Sequence, residues 1–185
     1  MRPYILLLLS VAGILSSPAA VIGYDLAWSG SGGYSTGGSF TFDSASGGDG
    51  RIDASELLSF SIIGYQAATP IGSFSLSSPY NGTQAFNFNF DPVAMQFFLG
   101  GPSNSSTGQN WNDDGSTGAS CGNPGLGFNA GNGGQDMCID GALAGSTSST
   151  NPISVTLTSI PEPATGAILG LGLAALAALG VKRRS

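Results

Sequence analysis

Histidine is absent from all 185 residues, which removes the commonest general base at neutral pH and a frequent zinc ligand. Bases are scarce too: of five in the chain, Arg2, Lys182, Arg183 and Arg184 stand at the two ends. Between Tyr24 and Ile160, Arg51 is the only base against ten acids, a formal charge of −9. Such a surface repels phosphate and excludes nucleic-acid binding. Cations remain open as partners, and so do sugars met through hydroxyl and amide groups. Strong helix formers are few in the middle of the chain, where most of the 30 glycines stand among Ser, Thr and Asn. Catalysis by carboxylates alone is the enzymatic route left, and no spacing points to it. The chain is expected not to be an enzyme, and no cofactor is implied. Its length leaves room for one domain.

The long apolar runs that the middle lacks are at the ends. The start, "MRPYILLLLSVAGILSSPAAVIGYD", has a basic residue at Arg2, an apolar run from Ile5 to Leu15, and then Ser16, Ser17, Ala19 and Ala20. These are the three parts of a secretory signal, assigned to residues 1–23 and expected as a helix. The apolar run is short for a bilayer span. Cleavage after Ala19, Ala20 or Gly23 would each place small residues at the recognition positions.

At the other end stands "IPEPATGAILGLGLAALAALGVKRRS". Pro161 and Pro163 forbid a helix upstream of Ala164. Residues 164–181 carry no charge, and as a helix they would extend roughly 27 Å, close to a hydrocarbon core of about 30 Å. A transmembrane helix is expected there. Lys182, Arg183 and Arg184 hold its end on the cytoplasmic side, so the body lies outside, as the signal requires. Gly166 and Gly170 form a GxxxG pair, close to chance in so Gly- and Ala-rich a stretch.

This ending, Pro161-Glu162-Pro163, then a spanning helix, then a basic cluster, resembles the PEP-CTERM sorting signal over about 25 residues. The resemblance implies a bacterial protein handled by the secretion machinery and then by an exosortase, a membrane-embedded cysteine protease. That enzyme recognises Pro161, Glu162 and Pro163, removes the helix and basic tail, and releases or attaches the body at the surface. It also implies surroundings in which exopolysaccharide is a common component.

Between signal and tail, residues 24–159 form the expected domain. Short runs alternate apolar with small polar residues, as half-buried strands do: Phe40 and Phe42, Phe60 and Ile62, Phe74 and Leu76, Phe86, Phe88 and Phe90, Val155 and Leu157. Asn81-Gly82 predicts a hairpin between the third and fourth runs, and Ala67 to Pro70 is a similarly short link. After the Asp91-Pro92 break, "VAMQFFLGG" reads as another strand. Short connections make an antiparallel meander, and burying this many rings takes two layers. The expected fold is mainly β, an antiparallel β-sandwich or jelly-roll with long Gly-rich loops.

From Gly100 to Gly145 the pattern fades into loop chemistry. That stretch holds Cys121 and Cys138, which in an exported chain are expected to be bonded to each other. Two places could carry binding chemistry. In "DSASGGDGRIDASEL", Asp49, Gly50, Asp53 and Glu56 fall at positions 5, 6, 9 and 12 of an EF-hand loop. Positions 1 and 3 are Ala45 and Gly47, so an EF-hand is not expected. Asp49, Asp53 and Glu56 remain weak calcium candidates, and the same residues read as a turn followed by an Asp53/Glu56 capping box. Trp111, Asn112, Asp113 and Asp114, with Trp28 and Tyr34 elsewhere, suit a sugar-binding surface, or else Trp111 anchors a long loop to the core. The expected function is therefore a non-enzymatic surface or extracellular-matrix protein, with a carbohydrate-binding module on exopolysaccharide as the alternative. A hydrolase using Asp113 and Asp114 comes third, because sequence neighbours need not face one substrate.

Overall fold

Where rings alternate with Ser, Thr or Gly, a strand has one face to bury and one to leave in water. A computed structural model describes residues 19–76, 82, 85–113, 121–148 and 151–159. The signal stretch to residue 18, Asn81, Asp114, Pro161, Glu162, Pro163, the helix expected over 164–181 and Lys182, Arg183 and Arg184 lie outside them. Among the described residues are strands β1 (Val21–Ser29), β2 (Tyr34–Asp43), β3 (Ile52–Asp53), β4 (Leu57–Gln66), β5 (Thr69–Ser75) and β6 (Phe86–Asn87). They continue with β7 (Asn89–Asp91), β8 (Gln96–Phe97), β9 (Gln109–Trp111), β10 (Leu126–Gly131), β11 (Gly134–Ile139), β12 (Ala142–Thr147) and β13 (Ser154–Ser159). The helices described are two single 3-10 turns, Ser31–Gly33 and Ala54–Glu56.

One antiparallel sheet runs β13-β1-β2-β4-β5, a second runs β12-β11-β10-β9-β6, and β3-β7-β8 form a small third. Neighbours within the large sheets follow chain order, with β13 added beside β1. That is a meander. The alternation of successive strands between sheets that defines a jelly-roll is not the arrangement of these strands.

The two large sheets share one aromatic core. From the first, Trp28 and Phe60 reach Phe128 and Trp111 of the second with ring centroids 5.1 and 5.0 Å apart, and Phe40 reaches Phe88, between β6 and β7, at 5.0 Å. Tyr24 stacks on Phe40 at 5.4 Å, and Trp111 on Phe128 at 4.9 Å. Edge-on and offset pairs of this kind add about 0.5–1.5 kcal/mol each beyond the area they bury. On the outer side of the first sheet the same strands present hydroxyls, such as Thr41 and Ser59, whose oxygens lie 2.7 Å apart.

Three expectations change. The stretch from Gly100 to Gly145 is not a continuous loop, for it contains β9, β10, β11 and β12. β10 is buried along its whole length, so its polar side chains face cover rather than water and the usual alternation is missing. The turns were nonetheless written in the sequence: Asn132-Gly133 joins β10 to β11, and Asp140-Gly141 joins β11 to β12. "VAMQFFLGG" yields only the two residues of β8, because a turn, with Met95 at φ 52°, occupies its start. The strands on either side of Asn81-Gly82 do not form the expected hairpin with each other: β5 pairs with β4 and β6 with β9, in different sheets. Separately, β1 begins at Val21 and so shares Val21, Ile22 and Gly23 with the stretch assigned to the signal. Cleavage after Ala19 or Ala20 leaves that strand whole, whereas cleavage after Gly23 would shorten it.

The short link after Gln66 is a tight two-residue hairpin loop, with Gln66 opposite Thr69. Ala67 and Ala68 both take positive φ, 47° and 69°, as a type I′ turn requires. Alanine is strained there by about 1–2 kcal/mol per residue. Asn-Gly in place of Ala67-Ala68 is expected to stabilise the fold by about 1 kcal/mol after the entropic cost of the added glycine. Urea denaturation measures this, and a lower midpoint would show that the turn does not take these angles.

Candidate functional site

The Asp43–Leu57 segment folds on itself. Asp53 caps the 3-10 turn Ala54–Glu56, and the reciprocal capping box with Glu56 is present. Glu56 accepts the Gly47 N–H at 2.8 Å with Oε1 and the Asp53 N–H at 3.0 Å with Oε2. Asp53 Oδ1 accepts the Ser55 N–H at 2.8 Å and its hydroxyl at 2.6 Å. Asp49 Oδ1 accepts the Arg51 N–H at 3.0 Å, and its Oδ2 lies 3.7 Å from the Arg51 guanidinium. All three carboxylates therefore hold their own loop in shape. Among the described residues, no three or more Asp, Glu, Cys or His side chains gather in a group that could hold a metal.

Trp111 is not part of a surface. It is fully buried, as is Trp28 to within 2%, and both rings belong to the core between the sheets. A sugar platform built on these indoles is thereby ruled out. The reason is strand alternation: on β9, Trp111 points inward while its neighbour Asn110 points outward, opposite Asn129. Asn112 leaves the strand with φ 58° and donates to the Leu126 carbonyl at 2.9 Å. Tyr34, half-buried at the start of β2, packs against the core. Asp113 is 1% exposed. Its Oδ1 accepts the Gly122 N–H at 3.3 Å, and its Oδ2 accepts from Asn129 Nδ2. Cys121 and Cys138 meet beside it, Cα atoms 5.5 Å apart and bonded through sulfur, with Cys138 Sγ 3.8 Å from Asp113 Oδ2.

What sequence reading missed is the polar outer face of the second sheet. Asn87, Asn110, Asn129 and Asp136 stand opposite one another on β6, β9, β10 and β11. Over them lies the chain from Gly101 to Gly108. Asn87 Nδ2 donates to the carbonyls of Ser103, Ser105 and Gly108 at 2.6, 2.9 and 3.0 Å. Asn89 Nδ2 reaches the Gly108 carbonyl at 2.7 Å, and Asn110 Nδ2 reaches Asn104 Oδ1 at 2.8 Å. Gln109 takes the Asn89 N–H at 3.0 Å and gives to the Asn89 carbonyl at 2.8 Å, pairing with that peptide as a strand would. Each such bond is worth about 1 kcal/mol, and losing one partner of a buried pair costs more. The amides are the cover's fastening. Beside it, a groove of about 350 Å³ opens between Arg51, Asp53 and Ser55 on one side and Asn104, Ser105 and Ser106 on the other.

A β-rich body closed by a disulfide, followed by Pro-Glu-Pro, an uncharged stretch and three cations, defines an exported chain that is membrane-anchored before processing. The chain carries the PEP-CTERM protein-sorting motif, matched over residues 159–184, which marks it for exosortase processing. No curated protein and no solved structure matches it.

Proposed function

We propose that the body is a non-enzymatic component of the cell surface or extracellular matrix, delivered there once an exosortase has acted at Pro161-Glu162-Pro163. The observation that carries this reading is the sorting motif placed directly behind β13, the last strand of the body. A bridged core and a cover fastened by buried amides suit a protein that works outside the cell, where disulfides persist. In a host lacking the exosortase, the chain should keep its C-terminal segment and fractionate with the inner membrane, while the wild-type host yields the shortened form. Mass spectrometry of both termini reads the result. An intact tail in both hosts would reduce the motif to a plain anchor.

A carbohydrate-binding module on exopolysaccharide is the second reading. The groove beside Asp53 and Asn104 favours it, since a carboxylate and a hydroxyl line one wall and an amide with two hydroxyls the other. A glycan array on the processed protein separates the two readings, and a polysaccharide-degradation assay tests the hydrolase reading of Asp113 and Asp114.

A further inference from the structure

We propose that the outer face of the second sheet holds a hard divalent cation, calcium by preference, in a small cavity beneath Ser103. The cavity is lined by Ser103, Asn129, Asn132, Asp136 and the glycines of the β10–β11 turn. Its free space is about 10 Å³, room for the centre of one water-sized sphere. Three of the lining side chains are nine-tenths or more buried: Ser103 at 3% exposure, Asn129 at 3% and Asp136 at 8%.

The orientation of Asn129 points to a ligand. Its Nδ2 donates to Asp113, and Asp113 sits over Gly127, where an added Cβ would lie 3.6 Å from the Asp113 Cβ. Gly127 is two residues before Asn129, so the amide nitrogen is turned back along β10. The carbonyl oxygen, Oδ1, is therefore turned forward, toward Gly131 and Ser103, which line the cavity. Asp136 stands directly opposite Asn129 on β11 and shares that face. The cavity thus brings together a carboxylate, an amide oxygen and a hydroxyl beside the backbone of a glycine-rich turn. Oxygen donors without imidazole or thiolate select hard cations. Mixed ligands from several backbone segments suit calcium's loose six-to-eight coordination better than magnesium's strict octahedron. The body's excess of acids raises the local cation concentration further.

The ion would join two segments already in contact. A Cβ on Gly131 would come within 2.5 Å of the Gly101 carbonyl oxygen, and the Asn132 N–H donates to that same carbonyl at 2.9 Å. Calcium between Ser103 and Asp136 pins the cover to the hairpin. With a single carboxylate lining the cavity, affinity falls in the range of about 10⁻⁴–10⁻³ M typical of extracellular modules.

The test uses the full chain in detergent, stripped with EGTA and unfolded thermally in about 0.15 M salt, where surface charge is screened. Calcium chloride up to about ten times the expected dissociation constant should raise Tm saturably by roughly 3 °C or more, and magnesium should not match it. Asp136→Asn should abolish the shift, and Asp49→Asn should leave it. If Asp136→Asn does not fold, hydrogen exchange on the unsubstituted chain decides: calcium should slow amides in 101–108 and 131–134. No calcium-dependent shift, an equal shift with magnesium, or a shift that survives Asp136→Asn would overturn the site and leave the cavity to water. Protection confined to 43–57 would also overturn it, moving the ion to the capping-box loop.

Discussion

Replacing Trp111 with alanine is expected to cost about 4 kcal/mol of stability, as truncating a fully buried large ring does. The ring has no exposed surface and touches Phe60, Phe97 and Phe128 with centroids 5.0, 5.4 and 4.9 Å away. Neighbours drawn from two large sheets and a hairpin cannot all close over the space left behind. Trp111→Phe should cost far less, on the order of 1 kcal/mol. It keeps most of the stacking and removes an indole N–H that has no hydrogen-bond partner, a group whose burial is itself unfavourable by about 1–3 kcal/mol. Chemical denaturation of the pair measures both numbers. A loss below about 1 kcal/mol for the alanine variant would return Trp111 to the surface and revive the sugar platform.

Removing the disulfide should have the next largest effect. Cys121 and Cys138 are separated by 17 positions, and closing a loop of that size restricts the unfolded chain by about 3 kcal/mol. In the folded protein the bridge ties Cys121 to Cys138, near the end of β11, beside a carboxylate already held by Gly122 and Asn129. The double variant Cys121→Ala, Cys138→Ala is expected to lose about 3 kcal/mol, and reducing the unsubstituted protein should lower Tm comparably. Alkylation of protein recovered from outside the cytoplasm, before any reductant, should label neither cysteine. Unchanged unfolding under reductant would show that the bond contributes nothing.

The parts of this fold that were legible in the sequence are those whose causes are local. Phe40 with Phe42, and Phe60 with Ile62, alternate with Ser, Thr and Gly because one face of each strand is buried and the other wet. The Asp53/Glu56 capping box is legible for the same reason, its donors and acceptors lying three residues apart. Pairing is not local. Asn81-Gly82, Asn132-Gly133 and Asp140-Gly141 carry the same turn chemistry, yet only the last two join strands that lie side by side. The run of Phe86, Phe88 and Phe90 reads as one strand, but β6 belongs to a large sheet and β7 to the small one. The candidate site was hidden because Asn110, Asn129 and Asp136 look solvated by composition. They are buried only because Asn87 and Asn89 hold the segment from Gly101 to Gly108 above them.

β1 and β13 run antiparallel at one margin of the first sheet, with Gly23 opposite Ser159. The strand that opens the body and the strand that closes it therefore meet at the same corner. Tension applied between those two ends would load the hydrogen bonds joining them one at a time, like a zipper, rather than all together in shear. The pair is mechanically the softest in the sheet for that direction of pull, while a load passing from Ser159 to the far layer must cross the aromatic core. A surface protein held at both ends would therefore open at this corner first.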